Sequence, residues 1–264
     1  MFKAARIAET LEQVRRQGPL VHNVTNLVAM TLSANALIAV GASPIMSAAP
    51  EEAGDLAAIS GALVVNMGTL TRDWVEGALA ATAGANRAGV PWILDPVGVG
   101  ATAFRNETAA RLVAERPRII RGNASEVAAL AGTGAGGKGV DSTLGTDAVA
   151  EVATALARSS RAVVVATGAV DLATAGERVV RVANGHPLLT AITASGCALT
   201  ALIGAWAAAT EDPLEAAVGA LAAYGVAAEL AAERADGPGS FQVALLDRLG
   251  GLDPATLAER ARVS

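Results

Sequence analysis

The sequence predicts an α/β protein with a doubly wound, mainly parallel sheet that helices cover on both faces. Short, continuously apolar runs alternate with longer Ala-rich stretches along most of the chain. Continuous apolar strands are typical of parallel sheets buried on both faces, and their alternation with helices is typical of βαβ units. The chain has 264 residues, of which 52% are hydrophobic and 17% are charged, which allows a large core and excludes disorder as its main state.

Apolar runs in the first half predict strands that end at polar residues, Gly or Pro. These strands cover residues 19–23, 43–46, 61–67, 90–95 and 118–121. The Ala-rich stretches between them predict helices, over residues 26–40, 50–59, 71–88, 104–114 and 125–131. Glu51 and Glu52 favour a helix start at residue 50, because the helix dipole attracts negative charge to the first turn.

The second half predicts one more strand, a hairpin and several helices. A helix is expected over residues 146–158, a strand over 161–167, and a hairpin over 171–175 and 177–183 that turns at Gly176. The last predicted helices cover residues 196–210, 213–234 and 239–249.

Residues 182–210 contain no Asp, Glu, Lys or Arg, which raises the question of a membrane span within residues 188–209. Polar residues lie inside that stretch, and no basic cluster flanks it. These features favour a strand end, a tight turn and a buried helix. We therefore expect no membrane association.

The composition argues against other classes of protein. The formal net charge is −5, aromatic residues make up 3%, and no run of Lys or Arg is longer than a pair, so we expect no nucleic-acid partner. The single cysteine, Cys197, cannot form an internal disulfide, and residues 1–18 contain no apolar segment typical of a signal peptide. A cytoplasmic protein is expected. No linker divides the sequence, so residues 1–264 are expected to form one domain.

Polar residues or glycines follow nearly every predicted strand. In open parallel sheets, ligands bind outside the carboxyl ends of the strands. The residues at these ends are His22, Asn23, Met46, 66–68, 95–98, 121–123, Thr167 and Gly168. A polar residue at any one of these positions more often has a structural role than a ligand-binding role, because loops need polar residues. Together they predict a ligand site along one edge of the sheet.

The residue pattern of the Gly-rich stretch 132–139 resembles the consensus patterns of nucleotide-binding loops. A P-loop needs Ser or Thr after the Lys to hold Mg²⁺, and Gly139 follows Lys138 here. A dinucleotide-binding loop follows a strand and opens a helix, whereas this stretch follows a predicted helix. A flexible surface loop is the favoured interpretation.

Asn123 and Glu126 have the spacing of a capping box, which alone is a common local structure. A functional interpretation places the Glu126 carboxylate near Mg²⁺ and its waters, with Arg121 on a phosphate oxygen. Asp95 lies at an adjacent strand end and is the candidate for a second acidic ligand. Mg²⁺ typically takes one or two carboxylates together with substrate phosphates.

Residues 193–198, Thr-Ala-Ser-Gly-Cys-Ala, give the strongest functional signal. They precede a long Ala-rich helix, and successive N–H groups at a helix N-terminus bind anions. Such a nest stabilises charge that develops on a transferring phosphoryl group. Cys197 is expected near the helix start, where the pKa of a thiol tends to fall. The alternative is a buried structural cysteine beneath a glycine turn.

Taken together, these motifs resemble the hydroxyethylthiazole kinase family of the ribokinase-like superfamily. The segments that carry the resemblance follow the family's order; they are residues 21–26, 42–46, 94–101, 121–126, 139–142, 166–171 and 193–199. The resemblance implies a ribokinase-like fold and a homotrimer with active sites at subunit interfaces. It also implies phosphorylation of 4-methyl-5-(2-hydroxyethyl)thiazole by Mg-ATP, a step of thiamine salvage.

The resemblance implies roles for individual residues as well. The residues that the resemblance implies for thiazole binding are Met46, Asn26 and Ala194. The residues that it implies for ATP binding are Arg121, Thr167 and Asn26. Asp95 and Glu126 would organise Mg²⁺, partly through water, and Gly196 and Cys197 would line an anion hole beside the hydroxyl. Related sugar kinases have an Asp base where this family has Cys. A thiol is a poor base unless its pKa is tuned, so our hypothesis is that Cys197 positions or weakly deprotonates the hydroxyl.

One position departs from the family's usual Thr-Gly-Thr-Gly-Cys pattern. Ala194 replaces the first Gly, and its methyl group would strain a backbone with positive φ. Two alternatives stay open: a related kinase for another small alcohol, such as hydroxymethylpyrimidine, pyridoxal or a sugar, and a catalytically inactive ligand-binding homologue. Met46 and Cys197 argue against a sugar. The intact set of Asp95, Arg121, Glu126 and Cys197 argues against lost catalysis.

Overall fold

The sheet of this protein has eight strands in the order β2-β1-β3-β4-β5-β6-β7-β8. The computed structural model describes residues 4–132 and 146–264. The strands are β1 (Leu20–Val24), β2 (Ser43–Met46), β3 (Ala62–Asn66), β4 (Trp92–Asp95), β5 (Ile119–Asn123), β6 (Val163–Thr167), β7 (Asp171–Thr174) and β8 (Val179–Val182). Strands β1 to β6 pair in parallel, and β7 and β8 form an antiparallel hairpin at one edge. The predicted parallel sheet and hairpin are confirmed.

Helices precede the first strand, lie between the parallel strands as the sequence predicts, and follow the hairpin. They are α1 (Ala4–Gln17), α2 (Met30–Ala39), α3 (Pro50–Ile59), α4 (Arg72–Ala88), α5 (Ala103–Ala114), α6 (Ala124–Leu130), α7 (Thr146–Ser160), α8 (Ser195–Ala209), α9 (Pro213–Ala232), α10 (Pro238–Gly250) and α11 (Pro254–Arg260). Helix α2 begins four residues later than predicted, because Asn26 forms a turn in which its Oδ1 accepts from the Ala29 N–H at 2.9 Å.

Three elements were not predicted: α1, α11 and a 3₁₀ helix at Pro187–Ala191. The strand end expected within residues 188–209 is therefore wrong. Pro187 occupies the first turn of the 3₁₀ helix, and His186 caps it by accepting from the Leu188 N–H. Residues 133–139 of the Gly-rich stretch and residues 139–142 of the family pattern lie outside the described residues.

Alternate residues of the strands face two separate cores, which confirms helices on both faces of the sheet. Val64 and Ile93 face the core that includes residues of α1, α2, α8, α9 and α10. Leu63 and Leu94 face the core that includes residues of α3, α4, α5, α6 and α7. The period of two along a strand places these neighbours on opposite faces. Two covered faces explain why the strands are continuously apolar.

Helix α9 is the one helix within the described residues that is long and apolar enough to cross a membrane. Its most apolar window is 83% buried inside the fold, among the residues of the first core. A helix that is apolar on all sides and buried in this way is typical of a protein core.

The strand register places residues at the ends of neighbouring strands side by side, at the carboxyl edge of the sheet. Asn66 of β3 pairs with Asp95 of β4. Asn123 of β5 pairs with Thr167 of β6. Met46 of β2 pairs with Asn23 of β1. Residues from distant parts of the chain therefore meet at the edge where ligands bind in such folds.

Candidate functional site

A line of side-chain hydrogen bonds crosses the carboxyl edge of the sheet. Asn26 Nδ2 donates to Asn66 Oδ1 at 2.7 Å, and Asn66 Nδ2 donates to Asp95 Oδ2 at 2.7 Å. Thr200 Oγ1, from α8, donates to the same Asp95 oxygen at 2.7 Å. All four side chains are buried. The line ties the segment after β1, the ends of β3 and β4, and α8 into one polar cluster.

Asp95 is a fully buried carboxylate with one oxygen engaged and the other free. Its Oδ1 has no hydrogen-bond partner among the described residues. Burial raises the pKa of Asp95 to about 6, against the lowering effect of the nearby Arg121 guanidinium. The charge of Glu126 raises this pKa further. At neutral pH the carboxylate is still largely ionised, so the site presents a buried negative charge with an open oxygen.

Arg121 connects Asp95 with the end of β6. Its Nη1 lies 3.8 Å from Asp95 Oδ2, and its Nη2 donates to Thr167 Oγ1 at 2.6 Å. Its Nε is buried without a partner among the described residues. The backbone of Gly196 lies against the same guanidinium: a Cβ added there would be 2.7 Å from Nη1. The start of α8 and the ends of β4, β5 and β6 therefore converge on this cation.

Cys197 lies in the first turn of α8, with its Sγ 3.5 Å from Asn26 Nδ2. Burial raises the pKa of its thiol, and the nearby charge of Asp95 raises it further. The hydrogen bonds from Asn66 and Asn26 and the charge of Arg121 oppose the rise. The expected fall in pKa at a helix start is wrong for this thiol, because burial outweighs the favourable groups. The thiol is protonated at neutral pH.

Glu126 closes the capping box that the sequence predicts at the start of α6. Asn123 Oδ1 accepts from the Glu126 N–H at 2.9 Å, and Glu126 Oε2 accepts from the Asn123 N–H at 2.9 Å. Glu126 Oε1 accepts from the Gly98 N–H at 3.0 Å, in the loop after β4. The capping interpretation is confirmed. The bond to Gly98 also brings this carboxylate to the loop that follows Asp95.

Ala194 has a left-handed backbone, with φ 63° and ψ 9°, at the N-cap of α8. Left-handed geometry strains a residue with a Cβ, which is the strain that the sequence raised as a possibility. The next residue is anchored on both sides: Ser195 Oγ donates to Leu189 O at 2.6 Å, and Tyr224 Oη donates to Ser195 O at 3.0 Å. These bonds fix the entry to α8 where Gly196 and Cys197 follow.

Met46 ends β2 at the edge of the sheet and is half-buried. The residue that follows, Ser47, accepts a hydrogen bond at its carbonyl from His22 Nε2 at 2.9 Å. Burial lowers the pKa of His22, so its ring is neutral at pH 7. Within the described residues, no group of three or more His, Cys, Asp or Glu side chains is arranged to hold a metal ion.

Direct contacts join most of the residues that the sequence singled out: Asn26, Asp95, Arg121, Thr167, Gly196 and Cys197. Glu126 joins them through the Gly98 loop. Met46 and Ala194 lie on neighbouring segments, at the end of β2 and the start of α8. Sequence reasoning gave no role to Asn66 or Thr200. Asn66 had a signal, as a polar residue at a strand end, and Thr200 had one as a hydroxyl inside an apolar helix.

Comparison with known proteins gives one consistent family. The model of the hydroxyethylthiazole kinase family matches residues 11–254. The chain is 54% identical over 253 residues to a hydroxyethylthiazole kinase of Cereibacter sphaeroides, covering 96% of both chains. It is 50% identical over 252 residues to a hydroxyethylthiazole kinase of Granulibacter bethesdensis, covering 96% of this chain and 92% of the relative.

Solved structures extend the comparison to the fold. A hydroxyethylthiazole kinase structure from Pyrococcus horikoshii superposes with a TM-score of 0.92 at 40% identity and covers 98% of both chains. A pyridoxal kinase from Staphylococcus aureus superposes with a TM-score of 0.59 at 15% identity, over 78% of this chain and 87% of that one. The second likeness concerns the fold alone, and it confirms the predicted ribokinase-like architecture.

Proposed function

The chain belongs to the hydroxyethylthiazole kinase family and is a kinase, and from this premise we propose how its site works. ATP is the phosphoryl donor, and the acceptor is the hydroxyl of 4-methyl-5-(2-hydroxyethyl)thiazole. The product is the thiazole phosphate, as thiamine salvage requires. One observation supports the proposal above the others: the buried line from Asn26 through Asn66 to Asp95 joins the thiol at Cys197 to the carboxylate beside Arg121.

Arg121 and Thr167 form the ATP side of the proposed site. Arg121 contributes a positive charge whose Nε has no partner among the described residues, and Thr167 holds the guanidinium in place. Arg binds phosphate oxygens through several donors of fixed geometry. Gly196 brings the N–H groups of the first turn of α8 to the same cation, and these N–H groups have no acceptor inside the helix. Both features favour an anionic phosphoryl group between them.

The acidic residues fit a magnesium ion. Asp95 Oδ1 is an unpartnered carboxylate oxygen, and each Glu126 oxygen accepts one backbone N–H and keeps a further lone pair. Mg²⁺ keeps several waters and takes one or two carboxylates with substrate phosphates, so a larger protein cage is not needed. Asp95 and Glu126 would hold it, partly through water. When bound, Mg²⁺ would neutralise charge on the β- and γ-phosphates of ATP.

Asn26 and Cys197 are proposed to hold the acceptor hydroxyl. The oxygen of that hydroxyl attacks the γ-phosphorus, the bond from this phosphorus to the bridging oxygen breaks with its electron pair leaving on ADP, and the hydroxyl proton passes to solvent water. Transfer of a phosphoryl group is mostly a matter of positioning and charge stabilisation. Because the thiol of Cys197 is protonated at neutral pH, we propose that it orients the hydroxyl and does not act as a preformed base. Met46 and Ala194 would line the thiazole ring.

We propose the homotrimer from the family resemblance, and exposed apolar side chains on α2 and the turn before it offer a surface for its subunit contacts. Leu27 is 75% exposed, Val28 61% and Ile38 60%. They lie on α2 and the turn before it, within residues 17–50, which contain no Asp, Glu, Lys or Arg. Uncharged apolar surface of this kind is typical of subunit interfaces. Since Asn26 directly precedes Leu27, a neighbouring subunit on this surface would border the active site.

The free thiol of Cys197 is consistent with a cytoplasmic location.

Ala194 favours one alternative, a related kinase for another small alcohol. Its methyl group stands where the family usually has Gly, so the acceptor pocket differs from the usual one. The test is kcat/KM for hydroxyethylthiazole, hydroxymethylpyrimidine and pyridoxal with Mg-ATP, for the natural chain and Ala194→Gly. We expect hydroxyethylthiazole to give the highest kcat/KM in both. A higher value for another alcohol in the natural chain, reversed in Ala194→Gly, would establish the alternative.

A further inference from the structure

Arg105, in the first turn of α5, binds three backbone carbonyls. Its Nη1 donates to Met67 O and to Val97 O at 2.6 Å each, and its Nη2 donates to Gly68 O at 2.7 Å. These carbonyls belong to the loops after β3 and β4. Among the described residues, no carboxylate forms an ion pair with Arg105. Through these three bonds the guanidinium joins two loops that flank the site.

The bond to Val97 reaches Glu126 through one peptide group. The Val97 carbonyl accepts from Arg105, and the N–H of the same peptide unit, that of Gly98, donates to Glu126 Oε1 at 3.0 Å. A peptide group is planar, so the direction of its C=O fixes the direction of its N–H. Arg105 therefore fixes the direction of the Gly98 N–H group, which donates to the Glu126 carboxylate.

The bond to Met67 has the same consequence for Asn66. The Met67 carbonyl accepts from Arg105, and the Gly68 N–H of the same peptide unit donates to Asn66 Oδ1 at 3.1 Å. Asn66 in turn donates to Asp95 Oδ2. One nitrogen of Arg105 thus orients two peptide groups, and each of these holds a side chain of the site.

Arg suits this position better than another cation. Its planar group donates in fixed directions, whereas a Lys ammonium is a compact point charge on a flexible stem. Gly98 has φ 72°, a conformation that glycine adopts without strain, and its backbone packs against Arg105, since a Cβ added there would lie 3.4 Å from that side chain.

We propose that Arg105 is a positioning residue for the phosphoryl transfer, acting through the Gly68 and Gly98 N–H groups on Asn66 and Glu126. The role in catalysis rests on the proposed function. The arrangement of the two peptide groups does not, and it is tested without substrate.

The first test is residue-resolved amide hydrogen exchange on Arg105→Ala and Arg105→Lys. We expect the Gly68 and Gly98 amides to exchange about tenfold faster or more in Arg105→Ala than in the natural chain, because both peptide groups lose their anchor. Arg111→Ala is the matched control, since Arg111 is an exposed Arg on the same helix. Unchanged exchange at both glycines in Arg105→Ala, or an equal change in the control, would overturn the proposal.

The second test separates positioning from general stability by kinetics. A misplacement of about 1 Å can cost about 100-fold in rate, so we expect a kcat loss of that order in Arg105→Ala and a smaller one in Arg105→Lys. The KM for the thiazole should stay within about twofold, and guanidinium ion below denaturing concentration should restore part of kcat in Arg105→Ala. A loss that guanidinium does not relieve, or one confined to KM, would overturn the catalytic role. A natural chain that does not phosphorylate the thiazole would contradict the proposed function and leave the exchange result intact.

Discussion

Gly196 lies so close to Arg121 that a methyl group on its Cα would be 2.7 Å from Nη1 and 2.9 Å from Nη2 of the guanidinium. The neighbour is the far end of a long side chain, so Gly196→Ala should displace Arg121 with little loss of folding stability. Displacement would also break the 2.6 Å bond to Thr167. We expect the KM for ATP to rise about tenfold or more, in line with the loss of a hydrogen bond from a charged group.

Steady-state kinetics with ATP varied will check this prediction. Gly239→Ala is the control, because a Cβ added at Gly239 meets nothing within 4 Å. A KM for ATP that does not differ between the two variants would show that Arg121 does not bind the nucleotide from this position.

The buried Asp95 gives a prediction for stability as a function of pH. Folding raises its pKa from 3.8 to about 6, so the folded state favours the protonated form. The stabilisation is full below pH 3.8 and is lost as the pH rises through about 6. The difference corresponds to about 3 kcal/mol. Asp95→Asn removes it, so the stability of this variant relative to the natural chain should increase between about pH 4 and pH 7.

Urea unfolding at a series of pH values measures that difference. Asp171 also has a pKa raised by burial to about 6, and it is present in both proteins, so its contribution cancels. A stability difference that does not change with pH would mean that Asp95 titrates at its ordinary pKa.

Cys197 gives a prediction for the pH profile of the rate. Because burial raises the pKa of its thiol, we expect no rise in kcat from thiolate formation between about pH 7 and pH 9. Cys197→Ser keeps a polar hydrogen at the same place and should retain kcat within about tenfold, with the same profile. Cys197→Ala should lose more. A kcat that rises with pH in the natural chain and becomes flat in Cys197→Ser would show that the thiolate is the base.

The left-handed backbone of Ala194 predicts a stabilising substitution. A residue with a Cβ pays about 1 kcal/mol or more for this conformation, and glycine avoids that cost but loses more chain entropy on folding. We expect Ala194→Gly to increase the free energy of unfolding by about 0.5 to 1 kcal/mol.

Chemical denaturation provides the measurement, with Gly89→Ala as the reverse case. Gly89 has φ 71° and a Cβ added there meets nothing within 4 Å, so the strain is isolated from any clash. The two substitutions should change stability in opposite directions. A destabilised Ala194→Gly would mean that contacts of the methyl group outweigh the backbone strain.

The sequence predicts the edge of the sheet well because apolar runs end abruptly at polar residues. Asp95, Arg121 and Thr167 follow such runs directly, and parallel strands bring their carboxyl ends together. Their mutual contacts confirm that this edge collects them. The sequence prediction does not include helix α1, although Ile7, Leu11 and Val14 lie at helical spacing and are buried in the fold.

The remaining parts of the site depend on the folded chain. The hydroxyl of Thr200 donates a hydrogen bond to Asp95, which is 105 positions away in the sequence, and no local sequence pattern predicts that bond. Arg105 acts on carbonyl groups, which every residue carries, so the sequence gives no sign of its targets. The helix start alone predicts a lowered pKa for Cys197, whereas burial and the charge of Asp95, at the end of β4, raise it in the folded chain.

The most direct test of the account is thiazole-dependent release of ADP by the natural chain and by Asp95→Asn, at equal Mg-ATP. We expect the natural chain to release one ADP for each thiazole phosphate formed. Asp95→Asn should stay folded and release ADP at least about 100-fold more slowly, because the buried charge beside Arg121 is gone. Absence of thiazole-dependent ADP release by the folded natural chain, or equal rates for the two proteins, would contradict the account.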